Sequence, residues 1–301
     1  MSSCKEYIQP STVDEALEAL TAPTAPAALI AGGTDLLLEL DQGRHPPVEV
    51  LIDVTGIEEM RQIRLEEAHI FLGAAVTHRA IIENPLLQEH AACLVEGCKV
   101  IGGPQVRNVA TIGGNVAHAL PAADGTIALL ALDAQAQLAS EGGLQWKPLG
   151  DLFAGPGTTT FDRSRTVIVG FRLPLSRPGE ASAFQRVMRP QGVAIAILNM
   201  AVWLSGSEEG TFKDARLAVG PGGPRPFRAR HTEEFLKGRK LDDMSLGRAI
   251  EILLEEVQLR TSAHRATETY RRRLAGVLLA RTLRAAQARM RSGTAVSKRR
   301  G

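Results

Sequence analysis

The stretch AALIAGGTDLLLEL, residues 27–40, decides the fold of the N-terminal part of the chain. Its apolar start indicates a buried strand, and the glycine pair at 32–33 ends that strand. A helix is predicted to begin directly after the glycines, with Thr34 or Asp35 as its N-cap. A second apolar run at 48–54 predicts another strand, so this region forms a strand-helix-strand unit with a parallel sheet.

The same patterns extend outward along the first 177 residues. The segment from Ile101 to Gly125 is rich in glycine and polar residues and predicts one long loop, a kind of segment that is usually functional. The other predicted elements of this part are a helix at 12–20, a strand at 70–75, a helix at 88–100, and strands at 134–139 and 166–172.

The Ser-Arg-Pro-Gly segment at 176–179 predicts a domain boundary. We therefore expect a first domain at 1–177 with subdomains at about 1–55 and 56–177, a second at 178–292, and a basic, disordered tail at 293–301. The second domain is expected to hold three strands followed by helices, so the fold class is α+β. These elements are predicted at 182–188, 193–204 and 212–219 for the strands, and at 231–237, 245–258 and 262–291 for the helices.

Charge is distributed unevenly along the 301 residues. The chain has 35 basic and 33 acidic residues, but from Arg225 onward 19 Lys and Arg face only 8 Asp and Glu. The basic runs at 271–273 and 298–300 raise the alternative of a nucleic-acid adaptor. Aromatic residues make up only 4% of the chain and no stacking platform accompanies these runs, so a docking or solvated surface is favoured over nucleic-acid binding.

The three cysteines are Cys4, Cys93 and Cys98. An odd number with a single C-x4-C spacing does not provide a disulfide framework or a ligand set for zinc or an iron-sulfur cluster. We expect reduced thiols and a cytoplasmic protein. No apolar segment is long enough to predict a signal sequence or a membrane span.

Two glycine pairs are the candidate binding motifs. In the first, Ala31, Gly32, Gly33, Thr34 and Asp35 lie between a strand and a helix, where backbone N–H groups and the helix dipole attract phosphate. A plain turn remains the alternative. The pattern matches neither the dinucleotide fingerprint nor the P-loop.

The second glycine pair lies in Thr111, Ile112, Gly113, Gly114 and Asn115, and Asp124 follows nine residues later. This segment supplies further hydroxyl and main-chain donors, and a carboxylate suits a ribose or ribityl hydroxyl; a plain loop is again the alternative. The two motifs together favour a long ligand that carries a diphosphate.

Several stretches resemble the FAD-binding medium subunit of molybdenum hydroxylases, the family of the carbon monoxide dehydrogenase medium subunit and the xanthine dehydrogenase FAD domain. The resemblance covers nearly the whole chain. It is carried by residues 31–35, 73–77, 104–124, 151–157, 215–220, 261–263 and 270–279. It implies a two-part FAD-binding domain of the vanillyl-alcohol-oxidase/p-cresol-methylhydroxylase type, followed by a smaller domain of antiparallel sheet and helices.

The resemblance also implies roles for single residues. Both glycine motifs would hold the FAD pyrophosphate, and Asp124 would bind cofactor hydroxyls. Ile101 and Ile168 match positions beside the flavin ring. Where the family places a Lys near the ring N1/O2, this chain has Gln185-Arg186, so Arg186 is the candidate and Arg189 the runner-up.

The family resemblance implies an oxidoreductase subunit with FAD as its cofactor. It would receive electrons from the [2Fe-2S] clusters of a small subunit, partner a large molybdopterin-binding subunit, assemble as a dimer of heterotrimers, and pass electrons to an external acceptor. No acid/base or metal-ligating residue is predicted. A self-sufficient FAD-dependent oxidoreductase of the same fold is the alternative.

Overall fold

The computed structural model describes residues 4–22, 25–189, 195–207, 209–263 and 265–298, with side chains as far as residue 292. Its described residues form a mixed fold of helices and sheets, which confirms the predicted α+β class. The strands are β1 (Glu6–Ile8), β2 (Ala27–Ile30), β3 (Val50–Asp53), β4 (Ile63–Leu65), β5 (His69–Gly73), β6 (Gln135–Ser140), β7 (Gly143–Pro148), β8 (Phe153–Gly155), β9 (Thr158–Thr159), β10 (Val167–Pro174), β11 (Glu180–Val187), β12 (Leu198–Gly206), β13 (Phe212–Gly220) and β14 (Phe227–Arg228).

The described ranges also contain twelve α-helices. They are α1 (Val13–Thr21), α2 (Leu36–Asp41), α3 (Glu58–Arg61), α4 (His78–Glu83), α5 (Pro85–His90), α6 (Ala92–Lys99), α7 (Pro104–Val109), α8 (Ile112–Ala117), α9 (Asp124–Ala131), α10 (Arg230–Leu236), α11 (Asp243–Glu256) and α12 (Glu268–Lys298).

The chain divides into two units, and each is built from separate stretches of sequence. The first comprises Met1–Ile81, Gly102–Ala119 and Ala134–Pro174. It holds a parallel sheet in the order β1-β3-β2 and an antiparallel sheet in the order β4-β5-β10-β6-β7. The predicted parallel strand-helix-strand unit at the N-terminus is therefore confirmed.

The second unit comprises Ile82–Ile101, Leu120–Asp133 and Leu175–Gly301. Its antiparallel sheet has the order β11-β12-β13-β14. On β12 the side chains alternate between faces. Leu198, Met200 and Val202 belong to the apolar core shared with α11 and α12, whereas Asn199 is on the opposite face with α9.

Two predictions of secondary structure are wrong. The segment 101–125 is not one loop, because α7, α8 and the start of α9 form short helical turns within it. The predicted helix at 88–100 is two helices, α5 and α6, which separate at Ala91. In the C-terminal part, the three predicted strands and three predicted helices are present with shifted ends, and β14 is an additional short strand.

Some predictions fall on residues outside the described ranges. The predicted start of the second C-terminal strand, at 193, is one of them. The helix α12 has a described backbone as far as Lys298, but the side chains of 293–298 and all of 299–301 are outside the description. The disordered tail at 293–301 therefore stays a prediction. Within the described ranges, every helix is too short or too polar to cross a lipid bilayer.

The second unit offers a direct test of its core on α12. Leu278 is 1% exposed in that core, whereas its neighbour Val277 is 44% exposed. Leu278→Ala should lower the free energy of unfolding by about 2–5 kcal/mol because it leaves a cavity. Urea unfolding followed by circular dichroism measures this loss.

Val277→Ala is the matched control and should change the free energy of unfolding by less than about 0.5 kcal/mol. Equal losses in the two variants would contradict the placement of α12 against the sheet.

Candidate functional site

The first glycine segment, Ala31–Asp35, connects the end of β2 to the start of α2 in the first unit. Gly33 has φ +65°, a conformation that glycine adopts without strain. Within the described residues, the amide N–H groups of residues 32–35 make no hydrogen bond. Four backbone donors are therefore available to an anion at the start of a helix.

The second glycine segment, Thr111–Asn115, uses its backbone differently. The amide N–H groups of residues 112–115 donate to the carbonyl oxygens of Val76, Ala74 and Thr111 and to Thr111 Oγ1, at 2.8–3.1 Å. The Thr111 hydroxyl is thereby the N-cap of α8. These four amides are engaged inside the unit, so the segment acts as a fixed support.

Each glycine segment packs closely against neighbouring residues through a glycine: Gly32 meets the main chain just before the second segment, and Gly113 meets Ala74. A Cβ on Gly32 would lie 2.2 Å from the carbonyl oxygen of Val109 and 2.6 Å from Cα of Ala110. A Cβ on Gly113 would lie 2.6 Å from both Cβ and the carbonyl oxygen of Ala74. Only glycine fits at these two positions, because the atoms in the way belong mainly to the main chain.

His118 connects α8 to the first glycine segment and to α2. Its Nδ1 lies 3.4 Å from Asp35 Oδ2, and its Nε2 lies 3.1 Å from Glu39 Oε1. The hydrogen bond to Asp35 raises the pKa of His118, with a further contribution from Glu39 and an opposing one from burial. The same hydrogen bond lowers the pKa of Asp35. His118 thus lies between two carboxylates beside the free amides and can donate to both when it is protonated.

Asp124 belongs to the second unit, where it begins α9 and is buried among polar partners. Its Oδ2 accepts from Arg186 Nη1, and its Oδ1 accepts from Asn199 Nδ2 at 2.5 Å. Burial raises the pKa of Asp124, whereas Arg186 and Asn199 oppose that rise. A carboxylate has about four acceptor positions, so Asp124 keeps capacity for a ligand hydroxyl.

Asn199 holds this cluster from the middle of the sheet. Its Nδ2 also donates to the carbonyl oxygen of Ala122 at 3.0 Å, which fixes the orientation of the amide. A Cβ on Gly220 would lie 2.4 Å from Asn199 Oδ1, so the amide fits only because residue 220 is a glycine.

Comparison with known proteins decides the family. The model of the FAD binding domain in molybdopterin dehydrogenase matches residues 2–176. The chain belongs to this family. The model of the CO dehydrogenase flavoprotein C-terminal domain matches residues 182–286. FAD is therefore the cofactor of the chain, and the recognised family resemblance is confirmed.

Relatives and solved structures agree with this membership. The chain is 31% identical over 273 residues to the xanthine dehydrogenase FAD-binding subunit of Escherichia coli O157:H7, covering 88% of this chain and 90% of the relative. It is 30% identical over 285 residues to the carbon monoxide dehydrogenase medium chain of Hydrogenophaga pseudoflava, covering 94% and 97%.

The structure of carbon monoxide dehydrogenase from Hydrogenophaga pseudoflava matches with a TM-score of 0.90 at 29% identity, over 96% of this chain and 99% of that one. The quinoline 2-oxidoreductase of Pseudomonas putida 86 matches with a TM-score of 0.86 at 26% identity, over 95% and 97%. The chain is thus a flavoprotein subunit of the oxidoreductase class, as the sequence predicted.

The residues of the first unit fit FAD. Its pyrophosphate carries negative charge, and the first glycine segment presents four amide N–H groups that have no hydrogen-bond partner among the described residues. Ile168 is buried on β10 in the same unit. The roles assigned to single residues remain predictions.

The remaining predicted residues lie in the second unit. Ile101 follows α6 and is half-buried, and Arg186 is on β11 paired with Asp124. The runner-up Arg189 is exposed. The structure therefore joins Asp124 and Arg186, two residues to which the sequence assigned separate roles.

Sequence reasoning missed two residues of these clusters. His118 is half-buried between Asp35 and Glu39, and a lone histidine in a glycine-rich segment gives no sequence signal of these contacts. Asn199 could have been recognised from the sequence, because it is the one polar residue in the apolar run 195–204. A fully buried amide requires hydrogen-bond partners, and this requirement could have identified it.

Gly32 tests the close contact of the first glycine segment with Val109 and Ala110. In Gly32→Ala the new Cβ would overlap main-chain atoms of these two residues, so the first segment must move away from them and its free amides must shift. Such an overlap costs about 1–3 kcal/mol. If the whole cost falls on the conformation that binds FAD, the affinity for FAD becomes roughly 5- to 150-fold weaker. Fluorescence titration of the apoprotein with FAD measures this change.

The matched control is Gly155→Ala, because a Cβ at Gly155 meets no atom within 4 Å in the same unit. Its FAD affinity should stay within twofold of that of the wild type. A Gly32→Ala protein with unchanged affinity would show that the contact is not needed.

The His118 bridge predicts a pH dependence of stability. Because its pKa is raised in the folded state, its contribution is complete below the unfolded pKa of about 6.5 and is lost as pH rises through the folded pKa. The pKa of Asp35 is lowered in the folded state, so the contribution of Asp35 to stability is lost only as the pH falls into the acid range.

We therefore expect the difference in Tm between wild type and His118→Asn to be largest near pH 5–6 and to shrink toward pH 9. Differential scanning calorimetry across this range measures it, with His45→Asn as control, because the half-buried His45 bonds to the carbonyl oxygen of Pro46 rather than to a carboxylate. A difference independent of pH would show that His118 contributes only by packing.

Proposed function

We propose that the chain is the electron-transfer flavoprotein of a heteromeric molybdenum hydroxylase. It would take electrons from the [2Fe-2S] clusters of a partner subunit and pass them to an external acceptor. The observation that carries the proposal is the set of four free amides between β2 and α2, in a chain of the FAD-binding family. The boundaries at 177 and 292 are part of this proposal.

The chain's own residues serve to bind and orient the cofactor. FAD supplies the chemistry of accepting electrons singly and releasing them in pairs. The first glycine segment would hold its pyrophosphate through the amides of residues 32–35 and the positive end of α2. The second glycine segment would keep that backbone in place, with Thr111 and Asn115 able to add side-chain contacts.

The second unit contributes a prepared carboxylate. Asp124 would accept a cofactor hydroxyl while Arg186 and Asn199 keep it ionised and oriented. The predicted role of Arg186 near the flavin N1/O2 would require its guanidinium to serve both Asp124 and the ring. Five donors on one guanidinium allow such sharing.

The proposed partners are a large molybdopterin-binding subunit and a small [2Fe-2S] subunit, in a dimer of heterotrimers located in the cytoplasm. The medium-chain relatives support a multi-subunit assembly. The matching chain of Hydrogenophaga pseudoflava comes from a carbon monoxide dehydrogenase that is described as lacking the Mo-pyranopterin moiety of the molybdenum cofactor, which supports a molybdenum-containing partner here.

The basic C-terminal helix is the proposed docking face, with one correction. Arg271 is 3% exposed and therefore cannot belong to an exposed surface with Arg272 and Arg273. The exposed stripe of α12 instead follows helical spacing through Arg273, Val277, Arg281 and Arg284. We call these four positions, three of which are arginines, the basic stripe.

Purification from the native organism tests the function. A tagged chain should copurify with FAD, molybdenum and iron, and dithionite-reduced partner subunits should reduce its FAD in stopped-flow absorbance measurements. A chain that copurifies with FAD alone and oxidises a substrate unaided would favour the self-sufficient oxidoreductase.

Charge reversal tests the basic stripe. The double variant Arg273→Glu/Arg281→Glu should weaken binding of the partner subunits at least tenfold, because rim charges steer association and repel when reversed. Its FAD-to-protein ratio should equal that of the wild type. Surface plasmon resonance and flavin absorbance measure the two quantities.

The control is Lys213→Glu, an exposed charge on β13. It should leave partner affinity within twofold. A double variant that assembles normally would show that the partners dock on another face.

A further inference from the structure

Arg271 differs from the other buried arginines of the second unit. Arg228 pairs with Glu233 at 2.7 Å, and Arg186 pairs with Asp124. Arg271 is equally buried, at 3% exposure, yet none of the ion pairs formed by described residues includes it. Its Nε is buried and has no hydrogen-bond partner among those residues.

The chain before α12 folds back onto the first turn of that helix, where Arg271 lies. Glu268 N–H donates to Thr261 Oγ1 at 3.0 Å, and Ser262 N–H donates to the carbonyl oxygen of Ala266 at 2.9 Å. Leu259 and Ala266 pack against the core of the unit. These contacts fix the positions of residues 259–263 and 265–267.

The residues before the helix include two more arginines whose charges act on Arg271. Burial lowers the pKa of Arg271 most, and the charges of Arg265 and Arg260 lower it further. Among the described residues, neither of these two arginines forms an ion pair either. Glu268, the acidic residue of the first turn, is exposed.

Such an arrangement is unfavourable without an anion. A buried guanidinium with an unsatisfied N–H loses its hydration without compensation, and two like charges add repulsion. The first turn of α12, a helix of 31 residues, adds the positive end of its dipole. Three guanidiniums match a doubly charged tetrahedral oxyanion better than a singly charged carboxylate.

We propose that Arg260, Arg265 and Arg271 form a binding site for a phosphate group at the start of α12. All three arginines belong to the second unit, and none of them is among the residues proposed to hold FAD. The occupant of the site is either free inorganic phosphate or the phosphate group of a small nucleotide.

Isothermal titration calorimetry of the FAD-loaded full chain tests the site, with chloride holding the ionic strength constant. Inorganic phosphate should bind the wild type saturably at one site. Arg271→Gln should weaken that binding at least tenfold. Arg273→Gln removes the same charge from an exposed position of the same helix and should stay within twofold.

A second pair of variants keeps the test decisive if Arg271→Gln does not fold. Arg260→Gln and Arg265→Gln alter residues that are exposed or half-buried, and each should weaken phosphate binding by about three- to tenfold. Adenosine monophosphate distinguishes the sources, since tenfold tighter binding than phosphate assigns the site to a nucleotide and equal binding assigns it to the free ion.

Two results would overturn the proposal. One is a wild-type protein that shows no saturable binding of phosphate or adenosine monophosphate. The other is an equal loss of binding in Arg273→Gln and the cluster variants, because general surface charge would then explain the effect.

Discussion

The backbone of Gly32 lies against the backbone of Val109 and Ala110, and this contact holds the first unit's candidate site together. No side chain fits between the main chain at Gly32 and the main chain at Val109 and Ala110. The first glycine segment can therefore remain open on its opposite side. Its amides stay unpaired while those of residues 112–115 are all used internally. The first segment thus presents donors and is held at Val109 and Ala110, and the second is fixed inside the unit by its own hydrogen bonds.

In the second unit the main constraint is that buried charged side chains need partners of opposite charge. Asp124 is held by Arg186 and Asn199, and Glu233 is held by Arg228. Breaking such a pair leaves an uncompensated buried charge, so each carboxylate requires its partner. Arg271 is the exception to this pattern, and for that reason it indicates a ligand rather than a structural pair.

The sequence predicted much of the fold because hydrophobic periodicity and glycine punctuation are local signals. The parallel unit around residues 27–54 and the C-terminal strands and helices were found in this way. Residues 101–125 were mistaken for one loop, since one short helix there begins directly after Gly103 and another contains Gly113 and Gly114, and glycines normally indicate turns.

The candidate site was only partly predictable. Glycine pairs signal a backbone requirement, so both segments were identified from sequence. Which amides are free depends on long-range hydrogen bonds to Ala74 and Val76, and these have no local signature. The burial of Arg271 and the pairing of Asp124 with Arg186 likewise follow from tertiary packing.

Residue-resolved amide hydrogen exchange, measured with and without FAD, tests the central claim most directly. The account predicts that the amides of residues 32–35 exchange quickly in the apoprotein and become protected when FAD binds. The amides of 112–115 should be protected in both states, because their hydrogen bonds are internal. Amides at 32–35 that are already protected without FAD, or that FAD leaves unprotected, would contradict it.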